Sequence, residues 1–512
     1  MRRSTLLLPL ALLAVPTMLA AQAAAPAAPV TATQALDAAT ANGVAINFVW
    51  TLVAGFLVMF MQAGFALVET GFTQKKNAAH TMTMNFMVYA VGMLAYWAVG
   101  FAIQGGGVGA LATLGGYDKL NQEFSLSLAG HAWGLFGHTG FFLTGVAYTA
   151  PVFAYFLFQM VFMDTAATIP TGAMAERWKF SAFVVFSVFI GALIYPLFGN
   201  WVWGGGWLSQ LGTNLGLGHG DVDFAGSSVV HMTGGVIAFV GALLLGPRIG
   251  KYNRDGSANA IPGHNIPMGL LGSFILAFGW FGFNAGSTLS GTDLRIGVIA
   301  TNTMLASAGG AASAMAYMWW KYGKPDPSMV ANGFLAGMVA ITAPCAFVTA
   351  PSAVLIGLVA GVLVCLAVAF FERKARIDDP VGAISMHGVN GLWGVLSLGL
   401  LADGTYGQGL NGVPGGVTGL FYGDAGQFVA QAIGGLTNFV VVGALTVAAY
   451  KITALLVGGH RVSAEVELRG LDIPEMGVLA YPDDQLDEHP VIFPVEAITR
   501  EAPALVVAGG GK

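Results

Sequence analysis

Two histidines follow an aspartate at the same interval, each inside an apolar stretch of the sequence. His231 lies eight residues after Asp223 in "DFAGSSVVH", and His387 lies eight residues after Asp379 in "DPVGAISMH". A neutral imidazole donates through one ring nitrogen and accepts through the other, so two adjacent rings can share a proton at little cost in charge. The pattern favours a proton-handling pair over two unrelated histidines that are bonded to neighbouring helices.

Metal binding is the rival use of such histidines. A stable transition-metal site usually has three or four ligands, and no third thiolate, carboxylate or imidazole lies at ligand spacing near either histidine. Cys345 and Cys365 fall in apolar runs, which is typical of small buried packing residues. HExxH and G-x-S-x-G patterns are absent from the apolar segments. We therefore expect no metal, no cofactor and no enzymatic activity.

The aspartates are expected to mark where two helices enter a membrane. A carboxylate at a helix N-terminus accepts hydrogen bonds from the first free backbone N–H groups. A rise of 1.5 Å per residue then places each imidazole about 12 Å along its helix. If the two helices enter a hydrocarbon core about 30 Å thick from opposite faces, both rings approach the midplane. This opposition predicts an inverted repeat of helices one to five against six to ten, with helix eleven left over.

The composition supports a membrane protein. Of the 512 residues, 55% are hydrophobic and 9% are charged, whereas an ordinary soluble domain has roughly 25% charged residues. Windows of about 20 mainly apolar residues mark spanning helices, and eleven of them predict an all-α polytopic fold. The windows are 46–70, 79–104, 151–174, 180–203, 224–246, 267–287, 295–319, 328–348, 351–371, 385–402 and 426–457.

Basic residues concentrate in alternate connections between these windows. The positive-inside rule makes those connections cytoplasmic, with the N-terminus outside and the C-terminus inside the cytoplasmic membrane. The other connections contain only Lys119 and Arg295. The cytoplasmic set is Lys75, Lys76, Arg177, Lys179, Arg248, Lys251, Arg254, Lys321, Lys324, Arg373, Lys374 and Arg376.

The N-terminus has the features of a removable signal peptide. Arg2 and Arg3 precede the apolar run 6–19, which is interrupted by proline and is too short to span a membrane. The Gly-rich connection 105–150 predicts a structured external loop. The predicted segments are a signal peptide at 1–23, an Ala/Pro-rich linker at 24–45, the membrane domain at 46–458 and a cytoplasmic tail at 459–512.

Aromatic residues mark a candidate cation path. Trp203 ends the fourth predicted helix, while Phe158 and Phe162 lie one turn apart on the third. Phe283 and Ser287 lie one turn apart on the sixth. An indole near a hydroxyl acceptor would make a cation–π cradle, and phenyl rings below it would make an apolar gate. Spacing alone does not bring these groups together.

Three further ionisable residues fall in or near the spans. Asp164 is expected to hydrogen-bond a threonine or backbone group of a neighbouring helix. Glu69 lies near the inner end of the first helix, where a carboxylate costs less to hold. His80 follows two lysines and is expected at the membrane interface.

From about residue 46 to 472 the chain resembles the ammonium transporters of the Amt/Mep/Rh superfamily. Several long segments carry the resemblance, in the expected order and on the expected helices. They are "FMQAGFALVETG", "FQMVF…GAMAER", "WVWGGGWL", "DFAGSSVVH", "GWFGFNAGS", "DDP…MHG" and "RVSAEVELRGLD".

The resemblance implies roles for the aromatic residues. Trp203, Ser287 and Phe162 would form the ammonium-binding recruitment site at the external face. Phe162 and Phe283 would be the stacked gate, with Phe158 beside them. Methylammonium would act as a substrate analogue.

The resemblance also implies that His231 and His387 line a hydrophobic pore and relay protons. Asp223 and Gln159 would support the site without binding ammonium directly. A sensor that signals through its cytoplasmic tail, or a transporter of another small cation, are the alternatives to ammonium transport.

The family pattern further implies a homotrimer and regulation by a PII-type signal protein at the cytoplasmic face. The net charge of −5 says little about partners, since nearly all charges lie in loops and the tail, and no nucleic-acid partner is expected. Two positions depart from the pattern: Gly382 stands where relatives often have an acid, and Met476 where they often have histidine.

Overall fold

The structure is a computed structural model that describes residues 30–106, 110–116, 122–145 and 149–482. Nine of the described helices are long and apolar enough to cross a membrane. The helices Ile296–Tyr322 and Pro327–Ile341 do not meet both of these criteria. The long helices are α1 (Ala32–Phe72), α2 (Lys75–Gln104), α3 (Ala150–Met174), α4 (Phe180–Trp203), α5 (Ser227–Leu245), α6 (Ile266–Thr288), α7 (Ile296–Tyr322), α8 (Pro327–Ile341), α9 (Ala350–Ala375), α10 (Ile384–Leu401) and α11 (Ala425–Val457). The chain also forms the short helices Leu211–Leu215 and α12 (Ala464–Arg469), the strands β1 (Glu123–Leu128) and β2 (His131–Gly137), and several single helical turns.

Each predicted window coincides with one of these long helices, with two differences at the ends. Helix α8 ends at Ile341 and has 15 residues, fewer than the roughly 20 that a bilayer requires, because the chain leaves the helix before the predicted end at 348. Helix α1 begins at Ala32, so the predicted linker 24–45 is helical from that residue. The predicted signal peptide at 1–23 lies outside the described residues.

The predicted loop between α2 and α3 is structured by an antiparallel hairpin of β1 and β2. Trp201 on α4 donates its indole N–H to the carbonyl of Leu135 at 2.8 Å. Asn200 donates to the Glu123 carboxylate at 2.9 Å. These bonds attach the hairpin to the end of α4 at which Trp203 lies, which we call the Trp203 end of the molecule.

The opposite end is held by a buried cluster of charges. Arg248, which follows α5, donates to both carboxylate oxygens of Asp378 at 2.8 and 2.9 Å, and lies 3.2 Å from the carboxylate of Glu176. Burial alone raises the pKa of Asp378, but the hydrogen bonds and charge of Arg248, together with the charge of Arg177, hold that pKa well below its usual range. We call this the Asp378 end.

The tail folds back onto the Asp378 end. Lys76 donates to the carbonyls of Glu467 and Leu468 at 2.9 and 2.8 Å, and Asp472 accepts from the backbone N–H of His80 at 2.9 Å. His80 is buried beneath the protein's own chain, which its predicted position at the membrane interface does not indicate. Glu475 reaches α4, where it accepts from the N–H of Phe180 at 2.9 Å.

Replacing Arg248 with methionine is expected to destabilise the protein by about 3–5 kcal/mol, because two buried carboxylates then lose their counter-charge. Asp378 has a lowered pKa, so its stabilising contribution is present above its unfolded pKa and is lost as the pH falls through the folded pKa. The destabilisation should therefore shrink in acid. Thermal unfolding in detergent at neutral and acid pH measures it.

The matched control is Arg295→Met, which breaks an ion pair with Asp293 that is partly open to solvent. Exposed pairs contribute about 1 kcal/mol or less. Equal losses of stability for the two variants would contradict the role of the buried cluster.

Candidate functional site

The two histidines meet in the middle of the molecule. Nδ1 of His387 lies 3.2 Å from Nδ1 of His231, within hydrogen-bond distance. The rings are nearly parallel, at 23°, with centroids 5.3 Å apart, and both side chains are buried. One ring must donate and the other accept, so the pair holds one proton between the two nitrogens.

The first turns of α5 and α10 contain the histidines and are wound as π-helix, at Ser227–Met232 and Ile384–Val389. Single π-helical turns occur most often at functional sites. The start of α10 lies beside the end of α5, because Arg248 bonds Asp378 there. The two helices therefore run in opposite directions.

Two glycines allow the two helices to cross closely. Gly235 and Gly391 each stand four residues after a histidine. A Cβ on Gly391 would lie 2.6 Å from the carbonyl oxygen of Ser227, and a Cβ on Gly235 would clash with the backbone of Gly388. Only glycine permits this approach, and the approach brings the imidazoles into contact.

Each aspartate binds the free N-terminus of its helix. Asp223 is buried, and its carboxylate accepts from four backbone N–H groups, those of residues 226 to 229, at 2.7–3.0 Å. It acts from before the helix, since α5 begins at Ser227 with Gly226 in the N-cap position. Asp379 accepts from Gly382 at 3.1 Å and Ile384 at 2.7 Å. Gly382 has φ +82°, which an acid at this position would adopt only with strain.

An aromatic column continues from the histidine pair toward the Trp203 end. Phe283 stacks on His231 with centroids 5.3 Å apart, and Phe162 stacks on Phe283 at 4.1 Å. Phe158 packs against Phe162 at 4.6 Å. Phe162 and Phe283 are fully buried, so the column forms a closed apolar barrier above the histidines.

A vestibule of about 520 Å³ lies above this barrier. Trp203, Ser287 and Phe162 all line it, as do Phe158 and Gln159. The sequence-predicted binding residues therefore share one cavity, although they come from α3, α4 and α6.

Trp203 is held in place by the loop before α5. Its Nε1 donates to the backbone carbonyl of Asp223 at 2.6 Å, so the indole offers its ring to the vestibule. Ser287 donates its hydroxyl to the carbonyl of Phe283 at 2.7 Å, and the oxygen lone pairs remain available as acceptors. Ring and hydroxyl suit a small cation that donates hydrogen bonds.

The vestibule contains one ion pair in the described part of its lining, between Asp293 and Arg295. Hydrogen bonds from Arg295 lower the pKa of Asp293, and the two charges offset each other. The described lining of the vestibule therefore offers a ring and a hydroxyl oxygen rather than a net charge.

On the other side of the histidines lies a small cavity of about 20 Å³, which is enough for one water molecule. His387 and Glu69 are its ionisable lining residues. Glu69 lies near the end of α1, as predicted, and is buried at 3% exposure because α2 and α3 cover it.

Sequence reasoning missed two parts of the site and misjudged a third. Trp280 stacks on His231 with centroids 5.2 Å apart. Its position one helical turn before Phe283 is the feature of the sequence that could identify it as part of the site. Asn411 lines the vestibule and donates to the carbonyl of Asp223 at 2.9 Å. Asp164 is buried, and its Oδ1 accepts from no group in the described chain, contrary to the expected bond to a neighbouring helix.

The fold and site together define a multi-pass helical membrane protein with a path of aromatic and imidazole rings. Residues 49–481 match the model of the Ammonium Transporter Family. The chain belongs to the ammonium transporter family.

Known relatives agree with this assignment. The chain is 46% identical over 470 residues to ammonium transporter Amt2 of Archaeoglobus fulgidus, covering 91% of this chain and 92% of that protein. It is 37% identical over 454 residues to ammonium transporter Amt1 of Haloferax mediterranei, with 86% and 80% covered.

Solved structures share the fold. A protein described as Sensor Amt Protein has a TM-score of 0.73 and 37% identity, covering 85% of this chain and 99% of that one. Mep2 of Candida albicans has a TM-score of 0.70 and 25% identity, with 87% and 92% covered.

Proposed function

We propose that the protein moves ammonium across the membrane by recruiting the cation in the vestibule, removing a proton at the Phe162–Phe283 gate and passing neutral ammonia along the histidines. The observation that carries this proposal is the order in which the vestibule, the stacked phenyl rings and the histidine pair follow one another. An open vestibule ends at two stacked rings, and a buried pair of imidazoles lies directly behind them.

Deprotonation of ammonium would account for selectivity for ammonium over potassium. Ammonium and potassium are similar in size and charge, and the chain contains no TVGYG filter that could separate cations by coordination. Potassium has no proton to give up, so a dry barrier that admits only the neutral form excludes it. A bare charge inside a membrane costs several kcal/mol or more, which makes the neutral species the easier one to pass.

The histidine pair is proposed to carry the released proton separately. The shared hydrogen bond between the two Nδ1 atoms gives the proton a place in the barrier. Ammonia and proton would then cross together and transfer one net charge. Uncoupled flux of ammonia, without current, is the competing mechanism.

The membrane topology that we propose follows from the distribution of basic residues along the sequence. We place all eleven helices in the cytoplasmic membrane, as an inverted repeat of α1–α5 and α6–α10 with α11 added. The Trp203 end then faces outside and the Asp378 end with its tail faces the cytoplasm. A homotrimer and a PII-type partner on the tail belong to this proposal.

The test is flux through liposomes that contain the purified protein. We expect ammonium to produce flux and current above those of empty liposomes, while potassium at the same concentration produces neither. Equal potassium flux would show a transporter of small cations in general. Methylammonium flux without current would refute the proton relay and leave neutral transport standing.

Trp203→Leu is expected to raise the half-saturating ammonium concentration by about 2- to 30-fold, because a cation–π contact contributes roughly 0.5–2 kcal/mol. Half-saturation in the liposome assay measures this. Trp201→Leu is the matched control, since Trp201 donates to the β-hairpin. An unchanged half-saturation for Trp203→Leu would remove the indole from the recruitment site.

A sensor is the second candidate, since one similar structure is described as Sensor Amt Protein. In a sensor, ammonium would bind at the vestibule and alter the tail that contacts α2 and α4. Saturable ammonium binding without flux in the same liposomes would favour it over transport.

A further inference from the structure

Glu69 is a buried carboxylate that the proposed transport path has not yet used. It projects from α1 into the interior, and the hydroxyl of Thr171 on α3 lies 2.9 and 2.7 Å from its two oxygens, so it can donate its one hydrogen to either. Asn85 on α2 donates to Oε2 at 2.7 Å. No lysine, arginine or histidine within the described residues forms an ion pair with it. An ionisable group at such a place is costly and is usually retained for function.

The small cavity joins Glu69 to the histidine pair. Both Glu69 and His387 line it, and the other lining residues are apolar apart from Trp280. Trp280 gives its indole N–H to Thr342 at 3.0 Å, so it offers no donor to the cavity. Because Nδ1 of His387 faces His231, the second ring nitrogen, Nε2, is the atom free to bond a group in the cavity.

The cavity wall beside Glu69 adjoins the segment before α10, which belongs to the Asp378 end. Val381 lines the cavity and is part of the short segment that joins Asp379 to α10. Gly172 lies against both: a Cβ there would be 2.5 Å from the Val381 side chain and 3.1 Å from a Glu69 oxygen. Asp379 is half-buried and, with His387, is the charged or titratable group nearest Glu69.

We propose that Glu69 is the proton acceptor on the cytoplasmic side of the histidine pair, which it reaches through one water molecule in the small cavity. This inference deepens the proposed function and rests on the relay in it. The proton released by ammonium binds Nε2 of His231, which has no partner in the described chain, while the proton between the two Nδ1 atoms passes from His231 to His387. Nε2 of His387 then gives its proton to the water, and the water gives one of its protons to the Glu69 carboxylate. The carboxylic acid releases its proton to the cytoplasm and both rings return to their starting tautomers before the next cycle, so that one positive charge has crossed.

Thr171 and Asn85 are positioning residues in this step. Their bonds use some of the acceptor sites of the carboxylate and fix its orientation, while a carboxylate has about four such sites. The remaining sites are free for the water. A glutamine at this position would keep the shape and would neither take up nor release a proton.

The test compares Glu69→Gln and Glu69→Asp in liposomes by two measurements. The first is the current evoked by ammonium, and the second is the alkalinisation of the lumen by an ammonia gradient at high pH. We expect Glu69→Gln to lower the current at least tenfold and to change the ammonia-driven signal by less than twofold. Glu69→Asp should restore much of the current. Glu465→Gln, which removes an exposed carboxylate of the tail, is the control and should match wild type.

A wild-type current in Glu69→Gln would overturn the inference. So would a parallel loss of current and ammonia permeation, or equal losses in Glu69→Gln and Glu69→Asp, because both results describe a structural role. If the wild-type protein itself gives flux without current, the relay in the proposed function fails before Glu69 is tested, and the two failures are therefore distinct.

Discussion

Replacing His387 with glutamate should let potassium through the pore and lower the ammonium-over-potassium flux ratio at least tenfold. In the native pair the buried rings share one proton and present no fixed negative charge. A carboxylate at this position would stabilise any monovalent cation that reaches it. A change of about 1.4 kcal/mol in the relative free energy of the two ions in the pore corresponds to that factor of ten. His231→Asp is expected to act in the same direction.

Flux of both ions through liposomes measures the ratio, and size-exclusion chromatography shows whether each variant is folded. His219→Glu is the charge-matched control, because this histidine bonds a carbonyl at the surface and does not line the vestibule. An unchanged ratio in folded His387→Glu would contradict the proposed basis of selectivity. A folded variant that conducts neither ion would contradict the expected stabilisation by the carboxylate.

The sequence predicts how deep each histidine lies, but not that the two rings touch. Depth follows from the interval between each aspartate and its histidine along one helix. Contact depends on the crossing of α5 and α10, which Gly235 and Gly391 allow. The repeated spacing of these glycines is visible in the sequence, yet it shows a close crossing only once the two helices are known to be neighbours.

The burial of Glu69 and His80 is not predicted, for a related reason. The sequence locates each residue along its own helix, near an end, where a polar group usually meets water. In the structure, α2 and α3 cover Glu69, and the returning tail covers His80. Burial by elements distant in sequence cannot be read from hydropathy along one segment. The sequence predicts the aromatic residues of the path more fully, because their one-turn spacing on α3 and α6 places them on one face of each helix.

Asp223→Ala is expected to destabilise the protein by about 3 kcal/mol or more, since hydrogen bonds to a charged group contribute about 1.5–3 kcal/mol each and do not add fully. The substitution leaves the backbone N–H groups of residues 226 to 229 unpaired in a buried site. It also frees the loop whose carbonyl holds Trp203. Transport should therefore fall with stability, although Asp223 does not line the vestibule.

The related position Asp379 provides the comparison. Its carboxylate accepts from two N–H groups and is half-buried, so Asp379→Ala should cost about 1–2 kcal/mol. Thermal unfolding in detergent ranks the two variants, and the ammonium half-saturation in liposomes reports on Trp203. If Asp223→Ala unfolds no earlier than Asp379→Ala, the buried carboxylate is not what holds the start of α5. If it unfolds earlier and ammonium half-saturation is unchanged, the loop does not position the indole.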